Sequence, residues 1–142
     1  MAVWIAVPRS AAGAGLLLFD REERVLLVRH PYQRDSAWSF PGGWARRGEE
    51  LRATAHREAR EELGVAVVVG VPLATGRNPF GAISVLFEAR LADPDAELVL
   101  DDEISEARFF PLDELPPMFG HARRLLDDAL EVMEGRVADQ GR

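Results

Sequence analysis

One segment of the chain, residues 43–65, reads GWARRGEELRATAHREAREELGV and combines a helix signal with closely spaced carboxylates. Residues 51–63 are rich in Ala, Arg, Glu and Leu and are followed by a glycine, so they predict a helix that ends there. At about 100° per residue, Glu58, Glu61 and Glu62 fall on one arc of that helix. Because like charges at this spacing destabilise a helix, we expect Arg neighbours or a bound divalent cation to offset the repulsion.

The position of two of these carboxylates favours a cation. Ala55, Ala59 and Leu63 form the apolar stripe of the helix. Glu58 and Glu62 lie beside this stripe rather than opposite it, where a purely solvated charged face would lie. Carboxylates at the rim of a buried stripe can line a cleft, and oxygen ligands without His or Cys favour Mg²⁺ or Mn²⁺ over Zn²⁺. A glutamate-rich helix taken alone is more often a solubilising surface.

The complete pattern decides between these two interpretations. It consists of Gly43, five residues, Glu49, seven residues, and then Arg57-Glu58-Ala59-Arg60-Glu61-Glu62-Leu63-Gly64-Val65. It resembles the signature of the Nudix hydrolase family, Gly-x5-Glu-x7-Arg-Glu-U-x-Glu-Glu-x-Gly-U, in which U is bulky and apolar. Every fixed position matches, and chance matches arise at about one start in ten million. Ala59 departs from the pattern because it is small for a U position.

The resemblance implies an α/β (α+β) fold, a Nudix-type α/β/α sandwich with a central mixed sheet and the 43–65 box as a loop–helix–loop. The length fits a single Nudix domain over residues 1–142, with a frayed tail from about residue 135. Hydrophobic patterns predict a β-hairpin, further strands and a second helix. The hairpin pairs 14–19 with 25–28, the strands are 65–71, 82–91, 97–100 and 107–111, and the helix is 121–133.

Composition excludes several classes of function. The chain has 142 residues, no Cys, and 17 basic residues that are all Arg, against 24 acidic ones, so its net charge is −7. Cysteine chemistry and Schiff-base lysines are therefore excluded, and binding to a nucleic acid polymer is not expected. No apolar run is long enough for a membrane span, and we expect a cytoplasmic protein. The apolar segment 1–7 could pair across a homodimer interface.

The resemblance also implies an activity and a set of roles. Nudix enzymes hydrolyse the diphosphate of a nucleoside diphosphate derivative by water attack at phosphorus, with Mg²⁺ or Mn²⁺ as cofactor. By position, the metal ligands would be Glu58, Glu62, Glu61 and the carbonyl of Gly42. Glu49 and Arg57 would form an ion pair that orients the helix. The general base is left open between Glu61 and Glu103, which lies in the acidic stretch 101–103.

Substrate recognition is less specified. Arg29, Arg46 and Arg77 could hold phosphate oxygens, and Tyr32 and Trp44 could stack on a base, although each could equally be an ordinary surface or core residue. The three histidines show no ligand spacing and are expected to be structural or on the surface. The substrate could be ADP-ribose, another nucleotide sugar or a (deoxy)nucleoside triphosphate. The alternatives are a catalytically silent Nudix-fold nucleotide-binding or regulatory module, and an unrelated acidic domain with a coincidental motif.

Overall fold

The computed structural model describes residues 12–31, 37–77 and 81–141. The predictions for Tyr32 and for the 1–7 segment therefore lie outside the described residues. In chain order the described elements are β1 (Ala12–Phe19), β2 (Val25–Arg29), β3 (Gly42–Trp44), α1 (Leu51–Leu63), β4 (Val67–Arg77), β5 (Ile83–Leu91), β6 (Glu106–Phe110) and α2 (Gly120–Gln140). No helix among these residues is both long enough and apolar enough to pass through a membrane.

The strands form one mixed sheet with the order β4-β5-β1-β2-β6. β1 and β5 run parallel, and the other pairs are antiparallel. β1 turns back into β2 through the predicted hairpin, in which Phe19 pairs with Val25. The N-terminal half of β1 pairs instead with β3, a short strand that the sequence did not indicate. β3 thereby fixes the start of the 43–65 segment against the centre of the sheet.

Helices cover the two faces of this sheet, because β1 is apolar on both sides. Leu16 and Leu18 pack in the core beneath α1, together with Ala59. Leu17 lies in the core beneath α2, together with Leu126. Alternate side chains of a strand point to opposite faces, so the uninterrupted apolar run of β1 serves both cores. The predicted α/β/α sandwich with a mixed sheet is confirmed.

Three predicted boundaries differ from the structure. Residues 97–100 form no strand, because the Val99 N–H donates to the Leu63 carbonyl at the end of α1 rather than to the sheet. β4 continues past Pro72, which is tolerated because β4 is an edge among the described strands and its register shifts there. α2 continues to Gln140 where a frayed tail was expected, since helix-favouring residues follow Gly135 and a single glycine costs only about 1 kcal/mol.

Gly64 ends α1 for two separate reasons. Its φ of 66° lies in the left-handed region, which a residue with a Cβ adopts only with strain. A Cβ on Gly64 would also lie 2.9 Å from the Cβ of Val99. The glycine therefore turns the chain out of the helix and lets the segment that carries Val99 pass against the helix end.

We expect Gly64→Ala to destabilise the protein by about 1–2 kcal/mol, the cost of a left-handed conformation with a side chain. Gly135→Ala is the matched control. Gly135 lies inside α2, and a Cβ on it would meet nothing within 4 Å, so the same substitution there should stabilise by about 0.5–1 kcal/mol. Urea unfolding measures both free energies, and a change of the same sign in the two variants would contradict this account.

Candidate active site

A cleft of about 440 Å³ opens beside the N-terminal half of β1, between β3, α1 and the start of α2. This volume is within the range of small-molecule sites. The two glutamates predicted beside the apolar stripe, Glu58 and Glu62, both line it. Glu103 lines it from the loop before β6, and Trp44 from β3. The cleft thus gathers acidic groups from two distant parts of the chain.

Glu62 is a carboxylic acid group in the protein interior. Only 3% of the residue is exposed, and its Oε1 accepts a hydrogen bond of 2.8 Å from the Gly42 N–H. Burial raises the pKa of Glu62 well above its usual range, and the neighbouring Glu58 carboxylate raises it further, while the Gly42 N–H acts in the opposite direction. A further positive charge beside this pair would reduce the cost of keeping both carboxylates ionised.

Glu58 lies directly against the backbone of β3. A Cβ on Gly43 would be 2.6 Å from Glu58 Oε1. No side chain larger than hydrogen fits there unless the carboxylate moves. Gly43 is the first fixed residue of the 43–65 pattern, and this close approach accounts for it. With the Gly42 contact to Glu62, both carboxylates are held at the same glycine turn.

Arg57 is the centre of the ion-pair network on α1. Its Nε and Nη2 each donate to the Glu49 carboxylate at 2.8 Å, a two-point contact that contains the predicted ion pair. Nη2 also donates to the Trp44 carbonyl at 2.9 Å. The arginine therefore joins β3, the turn before α1 and the helix itself. The same contact with Glu49 raises the pKa of Arg57.

The remaining donor of Arg57 reaches the other carboxylates of the arc. Nη1 donates to Glu58 at 2.9 Å and to Glu61 at 3.1 Å. Arg46 donates to the second oxygen of Glu61 at 3.2 Å. Arginine thus offsets part of the expected repulsion. Over residues 12–31, 37–77 and 81–141, no arginine forms an ion pair with Glu62, the most deeply buried of the three.

The residues in the cleft fit a hard divalent cation. The described chain contains no cluster of three or more His, Cys, Asp or Glu side chains arranged around one metal position. A cation at Glu58 and Glu62 would therefore rely on two carboxylates and complete its coordination with water, backbone carbonyl or ligand oxygens. Mg²⁺ is commonly bound in this way, with one or two carboxylates and the phosphates of a substrate. The observation that supports this fit is the pairing of buried Glu62 with half-buried Glu58 at the cleft.

The two candidates for the general base differ in their surroundings. The Glu61 side chain is 47% exposed and is occupied by Arg57 and Arg46, and it is not among the residues that line the cleft. Glu103 does line the cleft. Its N–H donates to Asp101 Oδ1 at 3.0 Å, so the acidic stretch is a hydrogen-bonded turn. Which of the two acts as a base stays a prediction.

The residues predicted to bind substrate are dispersed. Trp44 is 44% exposed and lies in the cleft. Arg29 pairs with Glu106, and its guanidinium lies 4.6 Å from the centre of the Trp38 ring, so it serves the packing between β2 and β6. Arg77 donates to the Gly81 carbonyl at 2.8 Å, and Arg46 is the partner of Glu61. The structure therefore supplies other contacts for all three arginines.

Two of the three histidines line the cleft. His30 follows β2, and its Nδ1 lies 2.7 Å from the Glu103 carbonyl. His121 is the second residue of α2, and burial lowers its pKa. Both residues lie at the end of an element that reaches the cleft edge. Sequence spacing missed them because their neighbours in the cleft are far away along the chain.

The comparisons with known proteins agree with this arrangement. The family model of the NUDIX domain matches residues 9–129. The chain belongs to the Nudix family. Over 112 residues it is 36% identical to the NAD-capped RNA hydrolase NudC of Deinococcus radiodurans, a match that covers 76% of this chain and 40% of that protein. It is 29% identical over 126 residues to the ADP-ribose pyrophosphatase of Methanocaldococcus jannaschii, covering 83% of this chain and 72% of that one.

A solved structure agrees with the fold and with the family. An ADP-ribose pyrophosphatase from Streptococcus suis is 26% identical, with a TM-score of 0.70, and the match covers 86% of this chain and 90% of that one. This Nudix chain spans about two fifths of the length of the NudC proteins that it matches. The interpretation as an unrelated acidic domain is thereby excluded.

We expect Glu49→Gln to destabilise the protein at neutral pH and to matter less in acid. The Arg57 guanidinium holds the pKa of Glu49 well below its usual range, so below about pH 4.3 the unfolded chain binds the extra proton. The stabilisation is complete above that pH and is lost as pH falls towards the depressed value. Thermal unfolding at pH 7 and near pH 3 checks this, with Glu131→Gln, exposed on α2, as control.

The difference in Tm between Glu49→Gln and the parent protein should narrow at the lower pH. The control should show a small difference at both. A Glu49→Gln difference that is equal at the two pH values would contradict the role of the ion pair.

Proposed function

We propose that this Nudix protein is a metal-dependent pyrophosphatase that hydrolyses the diphosphate of a nucleoside diphosphate derivative. The observation that carries the proposal is the carboxylate pair of half-buried Glu58 and buried Glu62 in a cleft large enough for a nucleotide. Glu62 forms no ion pair with an arginine in the described chain, so a proton or a further cation is needed to offset its burial beside Glu58. The family membership supports the same chemistry. We further propose that residues 1–142 form a single domain.

Glu58 and Glu62, with the Gly42 carbonyl, are proposed to hold Mg²⁺ or Mn²⁺. The bound cation would neutralise the charge of the diphosphate and lower the pKa of the attacking water. The chain's own contribution is positioning. Arg57 holds Glu58 by a hydrogen bond of 2.9 Å, and the Gly42 N–H holds Glu62 by one of 2.8 Å. Both oxygens are thus fixed before substrate arrives, which lowers the cost of organising the transition state.

Glu103 is the general base that the surroundings favour. In the proposed reaction the oxygen of water attacks phosphorus, Glu103 accepts the proton of that water, and the bridging P–O bond breaks. Glu103 lines the cleft and has no arginine among its contacts in the described chain, whereas Glu61 is paired with two arginines. A carboxylate that is free of ion pairs is the better proton acceptor. Glu61 is then a partner of Arg57 and Arg46.

The proposed substrates are small nucleotides with an exposed ring and a diphosphate. Trp44 offers an exposed aromatic surface in the cleft for stacking. The relatives are named for NAD-capped RNA and for ADP-ribose, and both ligands contain an adenosine diphosphate unit. ADP-ribose and NAD therefore head the substrate panel, followed by another nucleotide sugar and a deoxynucleoside triphosphate.

Hydrolysis of this panel with Mg²⁺ or Mn²⁺ tests the function. We expect turnover that EDTA abolishes and that added metal restores. Identification of the products distinguishes the substrates, because ADP-ribose gives AMP and a sugar phosphate whereas a triphosphate can release pyrophosphate. Nucleotide binding that is independent of metal and proceeds without turnover would instead support a silent binding module.

We expect Glu62→Gln to lower kcat by about 10²- to 10³-fold, because a metal ligand supports several kcal/mol of charge stabilisation in the transition state. The Tm of the metal-free protein should not fall, since an amide replaces a buried carboxylate. Glu134→Gln, exposed on α2, is the control and should keep the parent kcat. Full turnover by Glu62→Gln would overturn the assignment of this residue.

A further inference from the structure

We propose that His30 is a positioning residue, which holds Glu103 in the cleft through the backbone of the loop that carries it. The inference rests on the proposed function and deepens it. His30 lies at the end of β2, and Glu103 lies 73 positions further along the chain. Both line the cleft. The loop that carries Glu103 is the segment 99–105. Contacts at its two ends and at its centre support this role.

The first end of this segment is fastened to α1. The Val99 N–H donates to the Leu63 carbonyl at 2.8 Å, and the Asp101 N–H donates to the Glu62 carbonyl at 3.2 Å. The last carbonyls of a helix have no partner within the helix, so this segment satisfies two of them. The start of the loop is therefore bonded to the backbone of Glu62, the residue whose side chain lines the cleft.

The other end is fastened to β2. The N–H and the hydroxyl of Ser105 both donate to the Arg29 carbonyl, at 2.8 and 3.0 Å. The side chain of Ile104 is buried in the core beneath α1. These contacts fix the end of the loop against β2 and the core. They do not reach Glu103 itself, which is exposed at the mouth of the cleft.

The centre of the segment is held on both sides of Glu103. Its N–H donates to Asp101 Oδ1 at 3.0 Å, and its carbonyl lies 2.7 Å from His30 Nδ1. A carbonyl oxygen can only accept, so Nδ1 carries the hydrogen. With both backbone groups occupied, the peptide planes on either side of Glu103 are fixed, and with them the direction of its Cα–Cβ bond. His30 is the partner outside the loop that acts on this residue directly.

His30→Ala should lower kcat by roughly 10- to 100-fold with a small change in KM, as expected when a supporting partner of a reacting group is lost. His30→Asn should restore most of the loss, because its side-chain N–H occupies nearly the place of Nδ1. His30→Gln, whose N–H corresponds to Nε2, should not. His56→Ala on α1 is the control and should keep the parent kcat. Equal kcat in His30→Ala and the parent would overturn the proposal.

A double-mutant cycle then tests whether His30 acts through Glu103. In the Glu103→Gln background, His30→Ala should lower kcat by less than about threefold further, because the group that it positions has already been removed. Losses that multiply would overturn the proposal, and so would full kcat in Glu103→Gln.

Hydrogen exchange keeps this proposal separate from the proposed function. In the metal-free protein without substrate, the amides of Glu103 and Ser105 should exchange at least about tenfold faster in His30→Ala than in the parent. In His56→Ala the exchange rates of both amides should equal those of the parent. Unchanged exchange in His30→Ala would overturn the positioning role. Absence of turnover by the parent protein on the whole panel would instead overturn the pyrophosphatase assignment, with the exchange experiment still deciding the role of His30.

Discussion

The contact between Arg57 and Glu49 is the interaction on which the site depends. It joins the turn before α1 to the helix, and the same guanidinium reaches the carbonyl of Trp44 in β3. Through Nη1 the same arginine also offsets part of the repulsion among the carboxylates on this helix face. With it, the loop, the strand and the helix become one unit, and Glu58 is held at the strand while Glu62 remains buried. The planar fork of arginine suits this role, which a lysine could not reproduce.

The local part of this arrangement could be predicted from the sequence. The composition of 51–63 and the glycine after it predicted α1 to the residue, and the helical spacing placed Glu58 and Glu62 beside the apolar stripe. Both properties depend on neighbours within a few positions of the chain. The side chains of β1 alternate between the two cores, and this too follows from a local apolar run.

The parts that could not be predicted depend on distant contacts. Residues 97–100 have the composition of a strand, yet the Val99 N–H meets a helix carbonyl 36 positions earlier in the chain. Arg29 has the charge of a phosphate ligand, but in the structure it forms an ion pair with Glu106, its neighbour across the β2–β6 pair. His30 carries no spacing signal because its partner is the carbonyl of Glu103, and a backbone carbonyl is the same in every sequence. Sequence patterns do not contain these pairings.

The irregular path of β4 affects the tendency of the protein to self-associate through the edge of its sheet. β4 is an edge among the described strands, and it exposes Val68 and Val71. A long, flat apolar edge is a template on which another chain can add a strand. Pro72 has no N–H to offer, and the register shifts on both sides of it interrupt the ladder. The distortion that lets β4 pass a proline therefore also makes this strand a poorer template for a strand of another copy.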